Sequence, residues 1–450
     1  MGSVFVQADD FSGAAEVGYC FVEHHLSAQV LLGTGTSRMH DGADTVEGPS
    51  TDVIVTDTHS RGLSEAAAEG LVKGAFSGPS ASGARVMFKK MDSLWRGNMP
   101  AEIRALASLG FHAVVAGALP QLERSVVDGR PLVAGIPLAE TDLWQAEVAS
   151  PPTDVPSLLR PEDPASIQTV NLDGVRSSSL TTKLAGLLNS DLPRLVVVDG
   201  ETMPDLEHVV DALLDLMFRA GGRRIVLVGT GGAADVLAQR LKTQAVRNTQ
   251  KVVDTDAATV EPEAPGRPVL AVVGSASKTA QAQLAQLEAQ GFTVVRLHPL
   301  YAGAMHAYVP QLAQVSSELK AGNPVAVALA AVKVDPAKAA NIVGALSKFA
   351  AEAAKAVPAD LILTGGETAR EVLDAVGCSN LVPIAAVQHG AVLSRANDGT
   401  LVGTKPGNFG DDLALLQLYD EIRKRRARPP QGTPANAIPQ NFPRTWSNND

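Results

Sequence analysis

The stretch Leu361-Ile362-Leu363-Thr364-Gly365-Gly366-Glu367-Thr368-Ala369 constrains this chain more than any other. An apolar strand runs into two glycines and then directly into helix-forming residues, Arg370-Glu371-Val372-Leu373. Glycine lacks a Cβ, so a ligand can rest on the backbone amides of such a turn. The first amides of a helix are unpaired and carry the positive end of its dipole, which suits an anion and phosphate above all. Thr368 adds a hydroxyl donor, and Glu367 is placed to hold a metal-bound water or a ribose. Strand–Gly-Gly–helix turns also arise for packing alone, so the remaining sequence has to separate the two readings.

Composition agrees with an α/β interior. Aromatic residues make up only 4% of the 450, so Val, Leu, Ile and Ala must fill the core. That fits buried parallel strands beneath Ala/Leu helices. A chain of this length exceeds one ordinary core and predicts two or three domains. The formal charge of −10 argues against a nucleic-acid surface, which normally carries a basic excess. Cys20 and Cys378 show no metal-type spacing and read as buried free thiols in a reducing cytoplasm. The N-terminus has no basic region followed by a long apolar stretch, so no signal peptide is expected. No apolar run reaches the roughly 18 residues of a membrane span.

Three early strands each end in a polar cluster. Val4-Phe5-Val6 leads to Asp9-Asp10-Phe11-Ser12-Gly13, with Ser12 the expected N-cap of a helix from about residue 14 to 25. Asp52-Val53-Ile54-Val55 leads to Asp57-Thr58-His59-Ser60-Arg61, and Arg85 to Lys90 leads to Asp92-Ser93-Leu94-Trp95-Arg96-Gly97-Asn98. Strand–helix alternation predicts a parallel sheet, which places all three clusters along one edge. There Arg61, Lys89 and Arg96 are expected to grip a carboxylate, and Asp side chains to bind the hydroxyls of a small polyhydroxy acid. Asp9 and Asp10 stand at a strand's carboxyl end, where open α/β sheets bind ligands.

Further strand–helix pairs follow at 195–200 and 224–234. The turn Gly229–Ala234 imitates a dinucleotide fingerprint, with Asp254 near the place of a ribose-binding acid. It lies deep inside the sheet rather than in the first unit, and reads as a decoy. The acidic, proline-rich stretch 256–268 reads as a linker. It divides the chain into a domain at 1–255 and another at 269–428, with a Pro/Asn-rich tail at 429–450 expected to be flexible. In the second domain, Gly274-Ser275-Ala276-Ser277 and Gly403-Thr404-Lys405-Pro406-Gly407-Asn408-Phe409-Gly410 supply two more turns rich in small residues beside helices. Lys405 among glycines offers a polyphosphate backbone donors and one mobile charge. The fold class expected is therefore α/β: two domains, each a mostly parallel sheet flanked by helices, with a cleft between them.

Taken together these clusters resemble the four-carbon acid sugar kinase family. The matching stretches are 8–14, 57–61, 89–98, 274–277, 365–368 and 405–410, in family order and spanning the chain to about Arg428. The resemblance implies ATP-dependent phosphorylation of the terminal hydroxyl of threonate, erythronate or an oxo-tetronate. The first domain would bind the acid and the second the nucleotide. By position, Ser275, Ser277, Gly365, Gly366, Glu367, Thr368 and Gly407 fall on nucleotide-binding turns, joined here by Lys405 and Gly410. Asp10, Arg61, Lys89, Asp92 and Arg96 fall on the substrate side. Leu94-Trp95 replaces the usual Thr-Leu, Asn408 replaces a glycine, and Glu123 stands where a glycine usually precedes arginine.

The mechanism expected is phosphoryl transfer across the cleft. Asp10, with Asp9 as second choice, would orient or deprotonate the attacking hydroxyl, and Mg²⁺ would bridge the phosphates of ATP. No protein metal ligands are assigned. Closure about Glu261–Pro268 would exclude water. Expected partners are the sugar acid and ATP or ADP, without nucleic acid or membrane, and a homodimer is the oligomer kept in view. Two rivals are a nicotinamide-dependent oxidoreductase using Gly229–Ala234 and a non-catalytic sugar-acid or nucleotide sensor.

Overall fold

The computed structural model describes residues 4–33, 51–144, 149–159, 167–219, 224–248, 266–274, 277–301, 304–330, 339–407 and 410–427. Ser275, Asn408, Asp254, most of the 256–268 stretch and the 429–450 tail lie outside them.

The first half of the chain builds β1 (Val4–Ala8), β2 (Ala28–Leu32), β3 (Val53–Asp57), β4 (Val86–Lys90) and β5 (His112–Ala116). A small antiparallel sheet follows: β6 (Arg124–Val127), β7 (Arg130–Val133) and β8 (Ile136–Pro137). Then come β9 (Ile167–Val170), β10 (Leu195–Val198) and β11 (Ile225–Gly229). The large-sheet strands of this half stand in the order β2-β3-β1-β4-β11-β5-β10-β9, all parallel. Every residue of β1, β5 and β11 is buried. Helices cover both faces of a parallel sheet, so its strands need not alternate polar and apolar residues.

The second half contributes β12 (Val269–Val273), β13 (Thr293–Leu297), β14 (Val325–Leu329), β15 (Asp360–Thr364), β16 (Asn380–Gln388), β17 (Ala391–Ala396) and β18 (Leu401–Lys405). Here β13, β14, β12, β15 and β18 are parallel neighbours, whereas β16 and β17 pair antiparallel. The sequence reading did not anticipate that antiparallel pair. Its consequence is large. β16 also pairs with β2 through Asn380↔Leu31 and Leu381↔Val30, fusing both halves into one 15-stranded sheet.

Crossing β16, β17 and β18 reverses direction, so β15 runs opposite to β1. On a flat sheet their carboxyl ends would lie at opposite edges. Six strand-to-strand steps separate β15 from β1. At about 20–25° per step, twist accumulates to roughly 120–150°, enough to swing the two carboxyl edges toward each other. Bulges in β16, at Pro383/Ala385 and Ala386/Gln388, add local twist. No helix among the described residues is long and apolar enough to cross a membrane.

Candidate active site

The three polar clusters of the first half follow β3, β1 and β4, which are adjacent, so they share one edge as expected. Asp10, rather than Ser12, is the N-cap of the helix Phe11–Glu23: its Oδ1 accepts from Gly13 N at 2.9 Å. Asp caps by reaching the third following amide, and an earlier start leaves the Ser12 hydroxyl free of that task.

Arg61 ties the edge together. Its Nε and Nη2 donate to Asp9 at 2.8 and 3.2 Å, and its Nη1 donates to Asp10 Oδ2 at 3.0 Å. The backbone oxygen of Asp9 accepts from Ser60 N and Arg61 N. Asp9 is thereby locked, its side chain 3% exposed against 18% for Asp10. Burial works to raise the Asp9 carboxyl, but the charges of Arg61 and Lys89 hold it below its ordinary value. At Asp10 burial prevails with help from the neighbouring Asp9 charge, and this carboxyl moves upward despite Arg61.

Asp92 organises the third cluster. Its Oδ2 accepts from Leu94 N and Arg96 N, and Arg96 forks onto both oxygens at 2.8 Å. Against the effect of burial, the Arg96 hydrogen bond and the charges of Arg61 and Arg96 hold this carboxyl far below the ordinary range. Lys89 does not reach toward a ligand. It is fully buried, with Nζ 2.8 Å from Glu102 Oε2, and Ser60 Oγ donates to Glu102 Oε1. Lys90 instead faces the Asp10 side, 3.5 Å from Glu16 Oε2. Trp95 is 2% exposed and lies in the core against the Gly117 backbone. Glu123 caps a 3₁₀ turn on the surface.

In the second half the turns follow β12, β15 and β18, again adjacent parallel strands. Gly365 has φ +85°, backbone that favours glycine, and starts the helix Gly366–Val376. A Cβ on Gly274 would stand 2.1 Å from Thr368 Oγ1, so the first two turns touch through a missing side chain. Ser277 caps the helix Lys278–Ala289 and donates to Gly407 O at 3.2 Å, joining the third turn. A Cβ on Gly410 would lie 2.7 Å from Ala414.

Lys405 is buried, and among the described residues its Nζ donates only to the carbonyl oxygens of Pro406 (2.8 Å) and Gly407 (3.2 Å). No carboxylate stands within ion-pair distance among the described residues. Burial alone pulls its pKa down to about 8. A buried ammonium without a counter-ion among the described residues suits an anion.

The two edges meet at Gly366. A Cβ there would lie 2.9 Å from Ser12 Oγ and 3.4 Å from Asp10 Oδ2. One at Gly62 would lie 3.7 Å from Glu367 Oε1. Just behind, Arg370 crosses to the other half: Nη1 donates to Asp57 Oδ2 at 2.6 Å, Nη2 to Gly33 O, and Nε to Asp374 at 3.0 Å. The sequence reading did not single out Arg370. Its place one turn beyond the glycines was visible, but its partner is 313 positions away.

The helix Gly231–Asn248 also begins at this edge. Its N-terminus is filled from within, for a Cβ on Gly231 would stand 2.3 Å from Glu16 Oε1. A dinucleotide phosphate would meet that carboxylate, so the turn does not suit a nicotinamide cofactor.

A sugar-binding N-terminal domain matches residues 4–237, and a nucleotide-binding C-terminal domain matches residues 270–415. A D-threonate kinase of Cupriavidus necator is 32% identical over 94% of this chain and 99% of its own. The chain belongs to the four-carbon acid sugar kinase family. A D-threonate kinase of Bordetella bronchiseptica is 28% identical, covering 94% of this chain and 98% of its own. A solved Salmonella typhimurium protein, provisionally described as a tRNA synthase, shares the fold with a TM-score of 0.72 at 22% identity. That match covers 93% of this chain and 99% of the Salmonella one. As a member of the family this chain is an enzyme, a sugar-acid kinase.

Proposed function

We propose that this kinase transfers the γ-phosphoryl group of ATP to the terminal hydroxyl of a four-carbon sugar acid, and that the acid is D-threonate. The observation that carries the reading is the approach of Gly366 to Ser12 and Asp10. It sets an anion-binding helix N-terminus against a carboxylate of raised basicity. The names of the two relatives support the choice of D-threonate.

Asp10 is the proposed base. The attacking hydroxyl gives its proton to Asp10 Oδ2, the oxygen not used to cap the helix, as its oxygen bonds to the γ-phosphorus, and the bond to the β-phosphate oxygen breaks to release ADP. Arg61 orients Asp10 without competing for the hydroxyl, since most of its fork is spent on Asp9. The amides at Gly366–Thr368, exposed by the turn at Gly365, the Ser275–Ser277 turn, and Lys405 with Gly407 and Gly410 would take the phosphate charge, which is where most of the catalysis in phosphoryl transfer lies. Asp92 and Lys89 act through the loops they hold, and Arg96 stands beside the substrate.

Mg²⁺ would enter with the nucleotide, keeping most of its waters, as is usual where phosphates supply much of its coordination. Glu367 is exposed beside the turn, makes no hydrogen bond among the described residues, and would hold one of those waters. When bound, the ion neutralises phosphate charge. The cytoplasm is the proposed place of action because the reaction consumes ATP. The proposed organisation remains an acid-binding unit at 1–255 and a nucleotide-binding unit at 269–428.

A coupled ADP-release assay across D- and L-threonate, D- and L-erythronate and their oxo analogues tests the reading. D-Threonate should give the highest kcat/KM. No ADP above background with any acid would overturn it, and acid binding without ADP would leave only the sensor.

A further inference from the structure

Among the described residues the substrate edge carries five Lys and Arg side chains besides the nucleotide side, and four are already matched. Arg61 is spent on Asp9 and Asp10, Lys89 on Glu102, Lys90 on Glu16 and Arg96 on Asp92. The fifth is Arg124. It opens β6, and its backbone is pinned to the turn after β5 by hydrogen bonds in both directions with Leu119. Its Nη1 donates to Ser93 Oγ, in the loop that Asp92 organises. Its Nε is buried and has no hydrogen-bond partner among the described residues. No carboxylate lies within ion-pair distance of it among those residues.

The charges that face Arg124 are Asp92, Arg96 and Glu16. Asp92 is saturated by Arg96 and two amides, and Glu16 sits between Lys90 and the start of the helix Gly231–Asn248. Burial weakens the hold of Arg124 on its proton. A guanidinium taken from water and given one neutral hydroxyl partner is costly, and a planar fork with vacant N–H groups fits a carboxylate well. Its platform is rigid: Trp144 Nε1 donates to Leu94 O at 2.8 Å, and Trp95 is buried beside Ser93 and Arg96.

We propose that Arg124, with Ser93, binds the carboxylate of the sugar acid and so makes the enzyme select acids over neutral polyols. This rests on the kinase reading above and adds a residue to it. The three cations that the sequence offered for this task hold protein carboxylates instead, and Arg124 is the one of the five whose charge is left open among the described residues.

The test compares wild type, Arg124→Gln and Arg124→Lys with D-threonate and with threitol, which has a CH₂OH in place of the carboxylate. Loss of a charge-assisted contact predicts a KM for D-threonate raised roughly 10- to 100-fold in the Gln variant. KM for ATP should stay within about twofold, and the acid-to-polyol ratio of kcat/KM should collapse. Arg124→Lys should recover part of the KM. Thermal shift without nucleotide supplies a second readout: D-threonate should raise the Tm of wild type and not that of Arg124→Gln, whose ligand-free Tm should not fall. An unchanged acid-to-polyol ratio, or an equal D-threonate shift in the Gln variant, would overturn the proposal. Wild type that binds D-threonate without making ADP would sink the kinase reading and leave this one standing. Wild type that binds no four-carbon acid would sink both.

Discussion

Arg370 Nη1 donates to Asp57 Oδ2 across 2.6 Å, with both side chains sealed from solvent. The arginine belongs to the helix that begins at Gly366, and the aspartate ends the strand that leads to Arg61. One ion pair therefore links the turn at Gly365 and Gly366, the proposed phosphate site, to the loop that holds Asp9 and Asp10. Burial pushes the Asp57 carboxyl upward against the pull of Arg370, so the pair is costly to assemble and costlier to break. Arg370→Met should lower stability by about 3–5 kcal/mol, because it strands a buried carboxylate. The double variant Asp57→Leu/Arg370→Met should lose less than the sum of the single variants. Urea unfolding of all four proteins measures this, and strictly additive losses would refute the coupling.

Asp10→Asn separates cap from base. Asparagine caps helices about as well as aspartate, so unfolding should shift by less than about 1 kcal/mol. Removal of a general base should lower kcat by roughly 10²–10⁴. ADP affinity, measured by calorimetry, should hold. Near-normal turnover in a folded variant would take the role of base away from Asp10.

The Lys405 ammonium, with a pKa near 8, gives a pH signature of known sign. Below about pH 8 it is charged and ready for phosphate; above that it is neutral, so ADP affinity should fall as pH rises from 7 to 9. Binding should also take up protons near pH 8, visible as buffer-dependent heats. In the ligand-free protein the unfolded chain holds this proton up to its ordinary value of 10.5 while the folded one has released it. Stability from this group therefore rises between about pH 8 and 10.5. Lys405→Met should flatten both trends. A pH-independent ADP affinity in wild type would show that the lysine does not meet the nucleotide.

Two glycine replacements should fail differently. In Gly366→Ala the new methyl points at Ser12 and Asp10, at the meeting of the two halves. Activity should drop at least tenfold, with Tm nearly kept, since φ at this helical position suits alanine. In Gly274→Ala the methyl would collide with Thr368 at 2.1 Å, forcing two turns apart. Overpacking of this kind costs about 1–3 kcal/mol, so Tm and ADP binding should fall together. Equal thermal losses in the two variants would contradict the distinction.

Much of the site was legible because its signals are local. A strand that ends in Asp-Asp, or in Gly-Gly before a helix, states its chemistry within ten residues, and alternation of strands with helices puts successive turns on one edge. Pairing was not legible. Lys89 and Arg61 look alike as cations after strands, yet alternate residues of β4 face opposite sides of the sheet, and Glu102 waits behind Lys89. Arg124 stood out only after each neighbouring charge had found its counter-ion.

The sequence by itself determined the parallel α/β units, the three polar clusters of the first half and the small-residue turns of the second, because periodicity and turn chemistry act over short spans. Tertiary structure decided that β16 joins β2 and that twist brings two opposed edges face to face. It also decided which charges are spent and which stay open. Those outcomes depend on contacts between residues hundreds of positions apart, where burial in a low dielectric, rather than residue type, sets what each group can do.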